Sequence, residues 1–213
     1  MPTSHHRQIS TIMDAVISLN PQSVLDIGVG FGKYGVLCRE YLELWDGRED
    51  YHTFLRRIDG IEAFEDYLTP LHSYIYNHVY LGEAQDVIKT LKTSYDLVLF
   101  IDVLEHLTEA KGTAFIRYVL QHHRGILIST PKDIGHQEDA FDNEHETHVS
   151  QWTMSKLRRL GPSVSFKDGE SYIVYIGTRA SVMQLRAKQR WEKIKKWGRK
   201  VPFAKAVYQM VKG

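Results

Sequence analysis

Tyr95–Val103 (YDLVLFIDV) is nearly continuous in apolar residues. A strand that is apolar at successive positions, not alternate ones, has to be covered on both faces. That is the habit of parallel sheets flanked by helices. Shorter strand-like runs surround it: Ser23–Ile27 (SVLDI), Ile58–Ala63, His78–Leu81 and Gly125–Ser129. Between them, Ser4–Leu19, Tyr34–Leu44, Thr69–Tyr76, Ala84–Leu91, Glu109–His122 and Thr153–Leu160 carry the apolar spacing of helices. Asn20-Pro21 ends the first helix and Gly161-Pro162 the last of these. Val164–Phe166 and Tyr172–Ile176 flank Lys167-Asp-Gly-Glu170, a hairpin signal. The alternation predicts an α/β chain, with a doubly wound parallel sheet and a closing antiparallel hairpin.

The length of 213 residues suits one domain with a full core. No apolar run approaches the roughly 20 residues that cross a bilayer, and Met1–Arg7 has no apolar stretch of the leader kind. Cys38 is the one cysteine, which excludes an internal disulfide framework and a cysteine-rich zinc site. The expected compartment is the cytoplasm. The net charge of +1 conceals an asymmetry: residues 181–213 carry ten Lys/Arg against Glu192, while residues 1–180 carry 17 basic and 25 acidic residues. We therefore expect an acidic domain over 1–180, with an N-terminal helix over 1–20, and a basic tail over 181–213.

Asp26-Ile-Gly28-Val-Gly30-Phe-Gly32 falls where the first strand should turn into a helix. Glycines there permit positive φ and let a ligand approach the backbone, and the helix start offers free N–H groups. Two readings compete. Gly30-Phe-Gly32-Lys-Tyr-Gly35 fits the GxGxxG of dinucleotide-binding oxidoreductases, although Asp26 then stands inside a strand that fingerprint keeps apolar. Asp-x-Gly-x-Gly-x-Gly instead uses Asp26, Gly28, Gly30 and Gly32 together. A Walker-type phosphate loop fails, because Lys33 is followed by Tyr34 and the glycine spacing differs.

From about Val24 to Ile176 the chain resembles the class I S-adenosylmethionine-dependent methyltransferases. Val24–Gly32 looks like their first motif and Asp59-Gly-Ile-Glu62 like the second. Gly82–Asp86 sits where they carry a Gly-Asp-Ala-like segment. Asp96–Leu107 looks like the fourth motif, and Gly125–Pro131 resembles the strand after it. The resemblance implies a Rossmann-like sheet of order 3-2-1-4-5-7-6 with S-adenosyl-L-methionine as cofactor and S-adenosyl-L-homocysteine as product. It places Asp26, Gly28, Gly30, Gly32 and Tyr34 around the cofactor's amino-acid end and Glu62 on the ribose diol. Glu83, Ala84 and Asp86 fall near the adenine, and Asp102 and Val103 near the ammonium end or the acceptor.

Ligands of open α/β sheets bind outside the carboxyl ends of the strands. The polar segment 131–152 should therefore cover a methyl acceptor, and a long unstructured loop in a compact domain is often functional. A hydroxyl acceptor benefits from a base, and imidazole suits that near neutral pH. His145 is the first candidate, followed by His148 and His106. His148 could equally order the loop. His145 and His148 at i, i+3 are weighed as metal ligands and set aside, so no metal is expected. The expected activity is methyl transfer to an O, or an N, of a small-molecule or saccharide-like acceptor. The alternatives are an NAD(P)-dependent oxidoreductase and a non-catalytic S-adenosylmethionine-binding scaffold. The acidic domain argues against nucleic acid at the site. In the tail, Met183, Ala187, Trp191, Ile194, Trp197 and Val201 share a helical face among Lys and Arg. That pattern suits docking on the domain, a second copy of the chain in a homodimer, or peripheral contact with the inner face of a membrane through 183–201.

Overall fold

The computed structural model describes residues 5–44, 53–134 and 146–198. Seven strands form one sheet: β1 (Ser23–Ile27), β2 (Arg57–Glu62), β3 (His78–Leu81), β4 (Leu97–Ile101), β5 (Gly125–Pro131), β6 (Ser163–Phe166) and β7 (Ser171–Gly177). Their order is β3-β2-β1-β4-β5-β7-β6. β1 to β5 run parallel, whereas β7 is antiparallel to both β5 and β6. The hairpin expected at one edge thus places its second strand inside the sheet. The helices are α1 (Ile9–Leu19), α2 (Lys33–Leu42), α3 (Pro70–Ile75), α4 (Ala84–Thr90), α5 (Glu109–His122), α6 (Met154–Arg158) and α7 (Arg179–Gly198). The first helix starts later than its apolar pattern, because His6–Gln8 form a tighter 3-10 turn ahead of α1.

The apolar run of β4 is explained by this layering. Leu97, Leu99 and Ile101 pack into the core shared with α1, α2 and α7, and Val98 and Phe100 pack against α5. β1 divides the same way, Val24 to the first side and Leu25 and Ile27 to the second. Each fully buried Leu, Ile or Phe contributes about 1.5–3 kcal/mol, so the strand is fixed in register by side chains on both faces. The adjacent carboxyl ends of β1 and β4 are where the strand order reverses, the usual ligand crevice of such sheets.

α7 docks through its first turns only. Ser181, Val182 and Leu185 are buried, and the Gln184 amide donates to the Ser18 carbonyl at 2.6 Å. At 3.6 residues per turn, Met183, Trp191, Ile194 and Trp197 lie on the opposite side. They are 70%, 53%, 56% and 65% exposed. Arg186, Lys188, Arg190, Lys193 and Lys195 flank them.

Candidate functional site

A cleft of about 470 Å³ opens at the carboxyl ends of β1, β2 and β4, within the usual size of small-molecule sites. Its base is the turn between β1 and α2, where Gly28, Gly30 and Gly32 have φ of +70°, +51° and +83°. A Cβ on Gly28 would also stand 2.8 Å from Cγ2 of Val103, so the turn presses directly on the segment after β4. The turn is tied from three sides. The N–H of Gly28 donates to the Ile61 carbonyl at 2.9 Å. The Gly30 N–H donates to Oε2 of Glu62 at 2.9 Å. The Gly30 carbonyl accepts from Nε2–H of His72 at 2.8 Å, and Nδ1 of that ring accepts the Thr69 N–H at 3.0 Å, which sets the tautomer. Asp26, Gly28, Gly30 and Tyr34 line the cleft; Gly32 does not, and serves as the residue that starts α2. Gly35, the last glycine of the dinucleotide pattern, makes room for Tyr76, whose ring carbon Cζ would be 2.4 Å from a Cβ there.

Glu62 ends β2 and is buried. Besides the Gly30 N–H, its carboxylate accepts the N–H groups of Ala63 and Phe64 at 2.9 and 3.0 Å, both on Oε1. Oε2 has this one donor and can accept another, and Glu62 lines the cleft. Asp26, from β1, is buried and accepts the Tyr76 hydroxyl at 2.7 Å. Burial, with the Glu62 charge adding to it, pushes its carboxyl up to about 7, against the pull of Tyr76. Glu83, Ala84 and Asp86 form the far wall at the start of α4.

Asp102, just past β4, holds φ of +53°. Non-glycine residues there are uncommon and mark a constrained site. The constraint is a buried network. The Ser129 hydroxyl donates to Oδ1 of Asp102 at 2.8 Å, and the Gln8 amide donates to Oδ2. The Gln8 carbonyl oxygen lies 2.6 Å from the same hydroxyl. Burial raises the Asp102 carboxyl, while these two donors and Lys33 oppose it. Asp102, Val103 and Lys33 line the cleft.

The other end of the cleft is walled by His106, Leu107, Glu146 and Thr147. Nδ1 of His106 is 3.1 Å from the Thr147 carbonyl, and burial lowers its imidazole to about 4. His148 stands behind it, ring centroids 5.0 Å apart, and is not on the wall. Its Nδ1 is 2.5 Å from the Ile134 carbonyl. His145 lies outside the described residues. The His148–Trp152 segment is stitched beneath the site. Val149 and Ser150 donate to the Glu105 carbonyl at 2.9 and 3.1 Å, and the Ser150 hydroxyl donates to the Leu107 carbonyl at 2.6 Å. Gln8, Lys33, His72, Glu105 and Glu146 were not singled out from sequence. Gln8 lies on the N-terminal turn, and no local motif marks it.

The donor set separates the two glycine-loop readings. Asp26, Glu62, Glu83, Asp86, Asp102 and Glu146 line the cleft, against Lys33 and Lys111. A pyrophosphate needs free loop N–H groups and positive charge. Here a carboxylate already occupies the Gly30 N–H. The cleft therefore suits a cationic ligand with hydroxyl and amine donors, the character of a sulfonium bearing an amino acid, a ribose diol and an adenine.

No family model matches the chain, and no curated protein matches it in sequence. Several solved structures do match. The N-terminal domain of EvdMO1, crystallised with SAH bound, is 15% identical with a TM-score of 0.53, over 83% of each chain. The PH0226 protein from Pyrococcus horikoshii OT3 is 17% identical with a TM-score of 0.52, over 84% of this chain and 96% of that one. An O-methyltransferase family protein from Burkholderia thailandensis is 14% identical with a TM-score of 0.55; 81% of this chain matches 55% of its length. At such identities the likeness is one of architecture, and the strand order with its inserted antiparallel β7 agrees with it. The chain has the class I methyltransferase fold.

Proposed function

We propose that the chain transfers a methyl group from S-adenosyl-L-methionine to an oxygen, or a nitrogen, of a small-molecule or saccharide-like acceptor. The observation that carries this is the Glu62 carboxylate seated on the Gly30 N–H, in a cleft where acids outnumber cations. Gly28 and Gly30 would give the cofactor's amino-acid chain room and Glu62 would accept from its ribose diol. Glu83–Asp86 would meet the adenine, and Asp102 would balance the ammonium end. Charge-assisted bonds of this kind are about twice as strong as neutral ones. The bound cofactor supplies a methyl group already activated on a sulfonium. What the chain then has to do is position the acceptor, which alone is worth roughly 7–11 kcal/mol in well-aligned reactions. The acceptor would lie at the end of the cleft that His106 and Glu146 line. A hydroxyl acceptor is favoured because imidazole nitrogen and carboxylate oxygen take hydroxyl protons there. The EvdMO1 domain was also crystallised in the presence of SAH and D-fucose, which supports a saccharide-like acceptor.

Calorimetry tests the reading. S-adenosylhomocysteine should bind, nicotinamide dinucleotides should not, and Glu62→Ala should weaken the first by about tenfold or more. Binding of a dinucleotide in preference would replace the proposal with the oxidoreductase. Labelled methyl transfer into glycan and extract fractions identifies the acceptor; binding without transfer to any fraction would leave a scaffold.

A further inference from the structure

Two histidines and a carboxylate from separate segments meet behind the acceptor's end of the cleft. One donor atom from each of Glu105, His106 and His148 lies within 4.8 Å of the other two. Tetrahedral ligands about 2.1 Å from an ion are about 3.4 Å apart, so at most about 1.4 Å of closure is needed. The histidines are set for the task. Each Nδ1 faces a backbone carbonyl, Thr147 for His106 and Ile134 for His148. A carbonyl only accepts, so on His148 the proton resides on Nδ1 and Nε2 carries the lone pair; the His106 ring faces the Asp102 carbonyl as well, a contact that an ion would replace. A ring held through its other nitrogen in this way is the usual support of a metal-ligating histidine.

Glu105 is the third donor. It is 1% exposed, and the Thr130 hydroxyl at 3.0 Å is its side-chain donor. No Lys or Arg pairs with it among the described residues. Asp102 and Glu146 lie close enough for their charges to act on it as well. Burial raises its carboxyl well above the usual carboxylate range, with its own backbone N–H and the Thr130 hydroxyl opposing, so without a cation it keeps its proton and a bound ion would displace that proton.

We propose that Glu105, His106 and His148 bind one divalent transition-metal ion, whose open positions take hydroxyl oxygens of the acceptor. Two imidazoles with one carboxylate select first-row transition ions over Mg²⁺ or Ca²⁺, which prefer oxygen shells. The site's place beside the His106 wall would give the ion a Lewis-acid part. It binds the hydroxyl oxygen; the O–H bond breaks, its proton passes to water, and the electron pair stays on oxygen, ready for the methyl group. That part rests on the methyltransferase reading, whereas ion binding itself rests on the geometry alone.

The test uses the full chain, tag-free, stripped with chelator and carrying His5→Ala and His6→Ala to remove the exposed N-terminal histidine pair. Titration with Co²⁺ should give a saturable visible absorption band at one equivalent per chain. Glu105→Gln and His148→Ala should each weaken Co²⁺ by about 100-fold. S-adenosylhomocysteine affinity is measured in parallel, since His148 is not on the cleft wall. No one-equivalent band in the parent chain, or unchanged Co²⁺ affinity in folded Glu105→Gln and His148→Ala, overturns the site. Should either variant not fold, the parent titration alone decides. Failure to bind S-adenosylhomocysteine with Co²⁺ bound would instead overturn the methyltransferase reading.

Discussion

Replacing Asp26 by Asn should change how stability depends on pH. Asp26 is walled in by the hydroxyl of Tyr76, just past α3, and by the Glu62 carboxylate on β2, with the Cys38 thiol of α2 nearby. Its carboxyl is raised from an ordinary 3.8 to about 7. A raised acid prefers its proton in the folded state. Its contribution is therefore fully present below pH 3.8, and is lost as pH rises through about 7. Between pH 5 and pH 8 the loss is about 2–3 kcal/mol, from about 1.4 kcal/mol per pKa unit. Asn keeps an acceptor for Tyr76 and removes the ionisation. Urea denaturation of the cofactor-free chain at the two pH values reads the difference. With an m-value of about 2–3 kcal/mol/M, the midpoint of the parent should fall by about 1 M relative to Asp26→Asn. Other buried acids titrate in both chains and cancel. Parallel pH slopes for the two chains would show that Asp26 is ionised throughout, and the account of the β1 carboxylate would be wrong.

Gly28→Ala combines positive φ with a 2.8 Å approach to Val103. It should cost about 1–3 kcal/mol of stability and at least about tenfold in S-adenosylhomocysteine affinity by calorimetry; wild-type affinity would contradict the tight fit. Gln8→Ala removes the amide donor to Oδ2 of Asp102 and leaves the Ser129 hydroxyl with Asp102 Oδ1. A loss of about 1–3 kcal/mol by denaturant titration is expected, and a change under about 0.5 kcal/mol would mean the network is slack. Changing Trp191, Ile194 and Trp197 together to Ala should leave thermal stability nearly unchanged, because all three are exposed. The same change should abolish flotation with anionic vesicles that the parent shows at low salt. A parent chain that stays in the soluble fraction would remove the membrane reading of α7.

The sheet was legible because its strongest strand carries its burial in its own sequence. Leu97–Ile101 is apolar at every position, and each position is covered. The glycine turn, Glu62 and the Glu83–Asp86 wall were legible because each is a short motif bound to the end of one strand. What escaped were contacts that the fold creates between distant segments. Gln8 reaches Asp102 and Ser129, and His72 reaches the Gly30 carbonyl, yet neither residue carries a local signature. The histidines could not be told apart for the same reason. Sequence put His148 and His106 together behind His145; of these two, the side chain that walls the cleft is His106, next to the β4 motif. No pattern in the loop reveals that the His148 ring is turned by the Ile134 carbonyl.

The inserted position of β7 constrains how the chain is made. β5 is complete at residue 131, but its far edge pairs with Ser171–Gly177, among the last strand residues to leave the ribosome. Until then the nascent chain holds an apolar parallel sheet whose β5 edge is open, a template for pairing with another copy. Truncations ending between residues 131 and 171 should therefore aggregate rather than fold as smaller sheets.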